Sequence, residues 1–241
     1  MFDLSYAVEG VQPQLYAAAP ALSFKLRIVC SDPTQTIQNV LLQCQIQIES
    51  TRRRYTRQEQ ERLVDLFGEP ERWSETLRPM LWTHASVMVP PFHGETFAEM
   101  HVPCTFDFNV AATKYFHGLD DGDVPLVLLF SGSIFYAADG GALRVMRIAW
   151  EKEAKYKLPV RIWKELIDHY YPNAAWLCLE RGAFERLYEY KLRAGIPTWE
   201  QTVEALLGDQ AADGGPKADP SIAAYAPRAN GSFRGRVENN V

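Results

Sequence analysis

Apolar and polar residues alternate with period two over most of the first two thirds of the chain. Leu22, Phe24, Leu26 and Ile28 fall on one side of an extended segment, with Ser23, Lys25 and Arg27 on the other. A strand that packs on a core through one face has this spacing, because successive side chains point to opposite faces. The clearest run comes next: Val40, Leu42, Cys44, Ile46 and Ile48 alternate with Leu41, Gln43, Gln45, Gln47 and Glu49. An apolar face backed by a glutamine-rich one predicts a half-buried antiparallel sheet. Asp32, Pro33 and Thr34 break the chain between these two strands, and a hairpin across residues 32–37 is expected. A third run starts at Leu81, with Trp82, His84, Ser86 and Met88 on one face, and Pro90-Pro91 stops it. In the fourth, Met100, Val102, Cys104, Phe106 and Phe108 oppose His101, Pro103, Thr105 and Asp107. Residues 124–130 are almost wholly apolar, the pattern of a strand covered on both faces. Ser131-Gly132-Ser133 interrupts that run, and a glycine there predicts a bulge or a close backbone approach. Asp139-Gly140-Gly141 predicts a tight turn into a last strand over residues 143–156.

The period then changes to that of helices. Ile162, Trp163, Leu166, Ile167 and Tyr170 form one stripe over residues 160–170. Residues 182–194 repeat the spacing and end at Gly195; Thr198 and Gln201 make a capping box for a last helix ending at Gly208. Thr56 and Glu59 make another capping box inside the strand-rich part, and a further helical turn is expected over residues 69–78. Residues 110–117 are compatible with extended chain or one short helix. Segregated strands and helices predict an α+β fold: an antiparallel β-sandwich or curled sheet of about six to eight strands, followed by a small helical C-terminal cap. The expected division is an extended arm over residues 1–20 and a sandwich-like domain over residues 21–157 with a helical insertion near 56–78. A helical cap packed on the sheet follows over residues 158–208, then a disordered tail over residues 209–241, rich in Gly, Pro, Ala, Asn and Asp.

Composition narrows the function classes. The chain has 241 residues, 47% hydrophobic and 23% charged, long enough for a sizeable core without staples. A net charge of −5 speaks against nucleic acid as a partner. No apolar run approaches the roughly 20 residues of a membrane span, and the first residues lack a signal-peptide pattern, so a cytoplasmic protein is expected. Cys30, Cys44, Cys104 and Cys178 are spread too widely for zinc fingers, redox pairs or iron–sulfur ligation. Four buried, reduced thiols are expected.

Three groups of residues draw attention as candidate chemistry. His93, His101 and His117, with the loop Asp120-Asp121-Gly122-Asp123, offer nitrogen and oxygen ligands for a metal-dependent enzyme, although no local ligand spacing links them. The same acidic loop lacks the ligand ladder of an EF-hand and reads as a turn. Arg52, Arg53, Arg54 and Arg57 form the basic run of the chain and are candidates for gripping a phosphate or an acidic partner surface. Ser131 and Ser133 lack the G-x-S-x-G context of a nucleophile. There is no phosphate loop or dinucleotide fingerprint, and no cofactor is expected. The helical aromatics, Trp163, Tyr170, Tyr171 and Trp176 among them, read as a seam between helices and sheet.

Two stretches carry a resemblance. One runs from His101-Val-Pro-Cys-Thr-Phe-Asp-Phe through Lys114-Tyr-Phe-His and Val124-Pro-Leu to Phe130-Ser-Gly-Ser-Ile-Phe-Tyr. The other runs from Trp176 through Tyr190-Lys191 and Pro197-Thr198-Trp199-Glu200 to Leu206-Leu207. Together they resemble an uncharacterised bacterial family, a domain of unknown function, encoded in gene clusters for uptake-type [NiFe] hydrogenases. The resemblance spans roughly residues 20–208 and brings no catalytic motif. It implies a non-catalytic accessory, assembly or scaffold protein that binds hydrogenase subunits, since the chain has neither the paired CxxC motifs of a nickel–iron subunit nor the clustered cysteines of an electron-transfer subunit. Two alternatives stand beside it. One is a β-sandwich module that binds a ligand or peptide through a sheet face or edge, motivated by Gln43, Gln45 and Gln47. The other is the metal-dependent enzyme built on the three histidines and the Asp120–Asp123 loop.

Overall fold

The structure, a computed structural model, describes residues 2–107, 110–138 and 141–212. Eight described strands run in the order β1 (Leu4–Pro13), β2 (Ala21–Cys30), β3 (Ile37–Ile48), β4 (Met80–Val89), β5 (Glu95–Pro103), β6 (Asp123–Ala137), β7 (Leu143–Arg147) and β8 (Glu153–Pro159). They form two antiparallel sheets. One has the order β1-β2-β5; the other has β4-β3-β6-β7, with β8 also paired to β6. The fold is α+β, as the separation of strands and helices predicts.

The inward faces are those the alternation marks. Leu22, Phe24, Leu26 and Ile28 of β2 meet Val40, Leu42, Cys44, Ile46 and Ile48 of β3 in a single buried cluster. Each fully buried aliphatic side chain contributes about 1.5–3 kcal/mol relative to leaving it in water, so this seam is the main source of stability. Among the described residues five α-helices serve the sandwich. The insertion between β3 and β4 carries α1 (Arg57–Arg62), α2 (Val64–Phe67) and α3 (Trp73–Thr76). Thr56 accepts from the Glu59 backbone while Glu59 accepts from the Thr56 backbone, completing the predicted capping box. Helix α4 (Ala111–Gly118) precedes β6 and settles the open alternative at residues 110–117. Helix α5 (Val160–Tyr170) follows Pro159 directly and buries Trp163, Leu166 and Ile167. Phe116 of α4 stacks on Trp163 at 5.1 Å between ring centroids, closing the core.

Several expectations change on the structure. The first residues are not a free arm, because Leu4–Pro13 is β1, paired along its length with β2. A bulge between Val8 and Gly10 shifts the inward positions from Leu4, Tyr6 and Val8 to Val11, which hides the strand from a strict period of two. β2 and β3 are not a hairpin. Both edges of β2 are taken by β1 and β5, so the chain crosses at Asp32, whose carboxylate accepts from the Thr34 backbone and hydroxyl at 2.9 and 2.6 Å, and enters the other sheet. In β4 a register shift opposite Ile46 and Gln47 turns Trp82 inward, 5.0 Å from Phe116, while His84, Ser86 and Met88 stay outside. The strand expected over 143–156 is two strands, β7 and β8, which pair in turn with the far and near halves of β6. Ile148 donates to the Gly132 carbonyl at 3.1 Å and Phe130 donates to that of Lys152 at 2.8 Å where one gives way to the other. Phe108, Asn109, Asp139 and Gly140 lie outside the described residues, and with them much of the predicted turn at 139–141.

The helical cap divides. The described residues divide into two compact units at Cys178 and Leu179, so α5 belongs to the sandwich while α6 (Arg181–Arg193) and α7 (Trp199–Ala212) belong to the second unit. Thr198 caps α7 by accepting from the Gln201 backbone at 3.2 Å, and the helix passes through Gly208 instead of ending there. The expected disordered tail lies outside the described residues from 213 onward. No described helix is long and apolar enough to cross a membrane.

The cysteines separate into two kinds. Cys30, Cys44 and Cys104 are buried, and burial pushes the Cys44 and Cys104 thiols up to about 12. Cys178 is exposed on the irregular segment beyond α5, which corrects the expectation of four buried thiols. A thiolate is the reactive form, so an alkylating reagent at neutral pH is expected to modify Cys178 in the folded protein and the other three only after unfolding. Peptide mapping by mass spectrometry checks this; modification of Cys44 or Cys104 at the rate of Cys178 would contradict the packing.

Candidate functional site

The basic run and the acidic loop, 60-odd residues apart in sequence, meet at one corner of the sandwich. A cavity of about 430 Å³ lies there, lined by Arg52, Arg53, Arg54, Asp121, Asp123 and Lys157 among others. Arg53 is turned into the protein. Its Nη1 donates to the Asp123 carbonyl at 2.7 Å, and its Nη2 donates to Glu59 Oε1 at 2.7 Å and to the Asp121 carbonyl. The two side chains are 7% and 2% exposed, so this is a buried ion pair that fastens the loop before β6 to the N-terminus of α1. Glu59 also accepts from the Asp120 backbone at 3.0 Å. Gly122 takes φ +84 at the tip, a left-handed value that glycine accepts without strain. Arg53 is thereby withdrawn from the group of candidate partner-binding arginines. Arg52 and Arg57 stay on the surface in ion pairs with Glu49 and Glu61, both at 3.2 Å, and Arg54 is exposed. The acidic loop is a strapped turn whose Asp121 and Asp123 carbonyls are occupied by Arg53. Its Asp120 carboxylate pairs with Arg62.

The three histidines of the metal reading do not converge. His93 sits between β4 and β5 with its Nε2 2.8 Å from Thr36 Oγ1. His101 is on β5 with its Nδ1 2.7 Å from the Gln14 side-chain amide. His117 ends α4, its ring edge-on to Trp163 at 5.0 Å. Among the described residues no group of three or more His, Cys, Asp or Glu side chains comes close enough to hold a metal ion. These three histidines and the acidic loop therefore do not make one metal site, because ligands must meet within roughly 2–2.6 Å of one ion.

His117 does carry a pH dependence. Burial, and then the Lys164 charge, hold its imidazole below the usual histidine value, against a weaker opposing pull from Asp168. Unfolding releases it to an ordinary value near 6.5. The unfolded state therefore binds the proton more readily. The contribution is fully present above about pH 6.5 and is lost as pH falls from there through the folded-state value. Wild type is expected to lose stability over that window, and His117→Leu is expected to remove that part of the dependence. Urea unfolding across pH checks it; an unchanged slope in the variant would contradict it.

The largest of the described cavities lies on the outer face of the five-stranded sheet, with a volume of about 630 Å³. The register builds it in two rows. Gln43 of β3 stands between Ser86 of β4 and Ser131 of β6; Gln45 stands between His84 and Leu129. Strands lie about 4.8 Å apart, so the six residues make a patch roughly 10 Å wide. Trp150, 90% exposed in the turn between β7 and β8, borders it. Amides, hydroxyls and an imidazole beside an exposed indole offer hydrogen-bonding groups and one flat apolar surface, with no Lys, Arg, Asp or Glu in the lining. Leu41, Leu81 and Met88 are exposed on the same face. The strand alternation pointed to Gln43 and Gln45, and their face is open. Trp150 was not legible as a site residue, because the sequence places it inside an apparently continuous strand. Ser131 was visible only as a weak nucleophile candidate, and the register gives it a different place. The aromatic seam holds in the first unit, where Tyr171 stacks on Phe106 at 4.2 Å.

Comparison with known proteins adds the family and little else. No curated protein matches the sequence. Solved structures match only distantly. They include a protein described as late embryogenesis abundant (LEA), at 14% identity over 65% of this chain and 71% of that one, with a TM-score of 0.28. A protein from Bordetella pertussis described as ApaA matches at 10% identity, 65% and 93% coverage and a TM-score of 0.22. A β-glucosidase from Kluyveromyces marxianus matches at 6% identity over 65% of this chain but 15% of that one, with a TM-score of 0.23. Scores this low carry no argument about fold or function. One family pattern matches residues 1–214, nearly the whole chain, and the protein belongs to that family of unknown function, DUF6084.

Proposed function

We propose that this chain is a non-catalytic accessory, assembly or scaffold protein of a bacterial [NiFe]-hydrogenase system, working in the cytoplasm by binding a hydrogenase subunit through the outer face of its five-stranded sheet. The observation that supports binding at this face is the open groove around Gln43, Gln45, His84 and Trp150, flanked by Leu41, Leu81 and Met88. Exposed apolar side chains beside a face of hydrogen-bonding groups offer a partner both apolar contact and hydrogen bonds. The partner class rests on the resemblance carried by residues 101–136 and 176–207. Arg52, Arg54 and Arg57 remain available as peripheral contacts for an acidic partner. Tagged protein, purified from its native host under hydrogenase-inducing conditions, is expected to bring down hydrogenase subunits in stoichiometric amount. Recovery of the chain without them would overturn the reading.

A second reading has its own observation. The lining has no Lys, Arg, Asp or Glu and is rich in hydrogen-bonding groups, which suits a peptide backbone or a small uncharged ligand as well as a protein surface. On that reading Trp150→Ala abolishes binding of the small ligand and leaves hydrogenase capture unchanged.

A further inference from the structure

The described part of the second unit has no buried apolar core of its own. Among its described residues no apolar side chain is buried: α6 has none, and on α7 the buried side chain is Thr202. Yet both helices carry an apolar stripe. On α6 it is Phe184, Leu187, Tyr188 and Leu192, at spacings of three, one and four residues. On α7 it is Trp199, Val203, Leu206 and Leu207, at four, three and one. These spacings place each set on one face of its helix. Rings join the two stripes: Trp199 lies 5.4 Å from Phe184 and 6.1 Å from Tyr188. The two stripes meet at these rings and leave an apolar surface exposed, with Leu192 59% and Leu207 64% exposed.

We infer that this surface is a dimerisation element, in which the hairpin of one chain packs face to face on the hairpin of a second copy to form a four-helix core. Helices of 13 and 14 residues are marginal in water and take most of their stability from packing an apolar face. A unit this small needs another layer to bury one. The exposed parts of the stripe residues amount to on the order of 600 Å² per chain, since a large aromatic side chain alone carries 150–250 Å². Two copies would bury about 1,200 Å², the lower bound of a stable specific interface. The charged rim is also self-complementary. Arg186 and Arg193 alternate with Glu185 and Glu189 along α6, and Lys191 lies 5.6 Å over the Trp199 ring. A patch of mixed sign does not repel its own copy, as a two-fold contact requires.

The test is the mass of the full-length protein in solution, measured by light scattering across a dilution series. The expected value is twice the 27.4 kDa of one chain, falling to one chain in the variant with Leu192→Glu and Val203→Glu, with the thermal transition of the sandwich unchanged. A single-chain mass for wild type at every concentration overturns the inference; that is the result expected if residues 213–241 or a different protein cover the stripe. A dimer that survives both substitutions overturns it too. Hydrogen exchange on wild type tests it without a variant. Amide protection in α6 and α7 is expected to rise with protein concentration, and protection independent of concentration would contradict it.

Discussion

Replacing Arg53 by methionine is expected to cost about 3–5 kcal/mol of folding stability, a fall in Tm of roughly 10 °C for a chain of this size. The reason is what the substitution leaves behind. Methionine keeps most of the side-chain volume, so the loss is not packing. It removes the donors to Glu59 and to the Asp121 and Asp123 carbonyls, and Glu59, 2% exposed, is left with no cation beside it. An uncompensated buried carboxylate is worse than a buried pair. Glu59 also accepts from the backbones of Thr56 and Asp120, at 2.9 and 3.0 Å. Changing Glu59 to leucine in the same protein is therefore expected to recover only part of the loss, because those two donors then lose their acceptor. Arg57→Ala is the control. Its ion pair with Glu61 is exposed at both ends and its removal is expected to leave the transition unmoved. Urea unfolding of the variants checks all three, and an Arg53→Met protein within about 1 kcal/mol of wild type would contradict the role assigned to the pair.

Gly132→Ala is expected to be at least as costly, with most of the protein recovered misfolded or aggregated. A Cβ at this position would lie 1.9 Å from the Leu41 carbonyl oxygen, across the central pair β3 and β6. The obstacle is backbone, so no side chain can rotate away. The residue also holds φ +129, which an L-residue avoids at a cost of roughly 1–3 kcal/mol. Relief requires β6 to move off β3 where Gln43 meets Ser131, and that pairing forms the floor of the outer groove. Soluble yield and hydrogen exchange of the β3 amides check the expectation; normal yield with native protection would contradict it.

The two predictions rest on features that differ in how far the chain reveals them. Gly132 was legible: a glycine inside an apolar run predicts close backbone approach, and the structure supplies it. The inward faces of β2 and β3 were legible for the same reason, since burial on one face leaves a period of two. The role of Arg53 was not. Its sequence neighbours Arg52 and Arg54 are surface residues, and nothing local distinguishes the one whose partners, the carbonyls of Asp121 and Asp123, come from a loop far along the chain. β1 and the inward turn of Trp82 were hidden by bulges, which break the alternation that reveals a strand. The turn signal at residues 32–34 predicts a hairpin of β2 and β3, because such a signal does not say whether the next strand joins the same sheet. The groove was half legible. Gln43 and Gln45 announce a polar face, but only the pairing of β3 with β4 and β6 shows that Ser86, Ser131 and His84 stand beside them.

The outer sheet face as the recognition surface is the claim from which the rest of the functional account follows. Its most direct test is quantitative capture of hydrogenase subunits from the native host by wild type and by the double variant Gln45→Arg, Trp150→Ala. Both side chains are at the surface, so the variant is expected to keep the wild-type Tm. A buried aromatic anchor at an interface is worth about 2 kcal/mol or more, so capture is expected to fall by roughly 30-fold. Undiminished capture by the folded variant would contradict the assignment of this face.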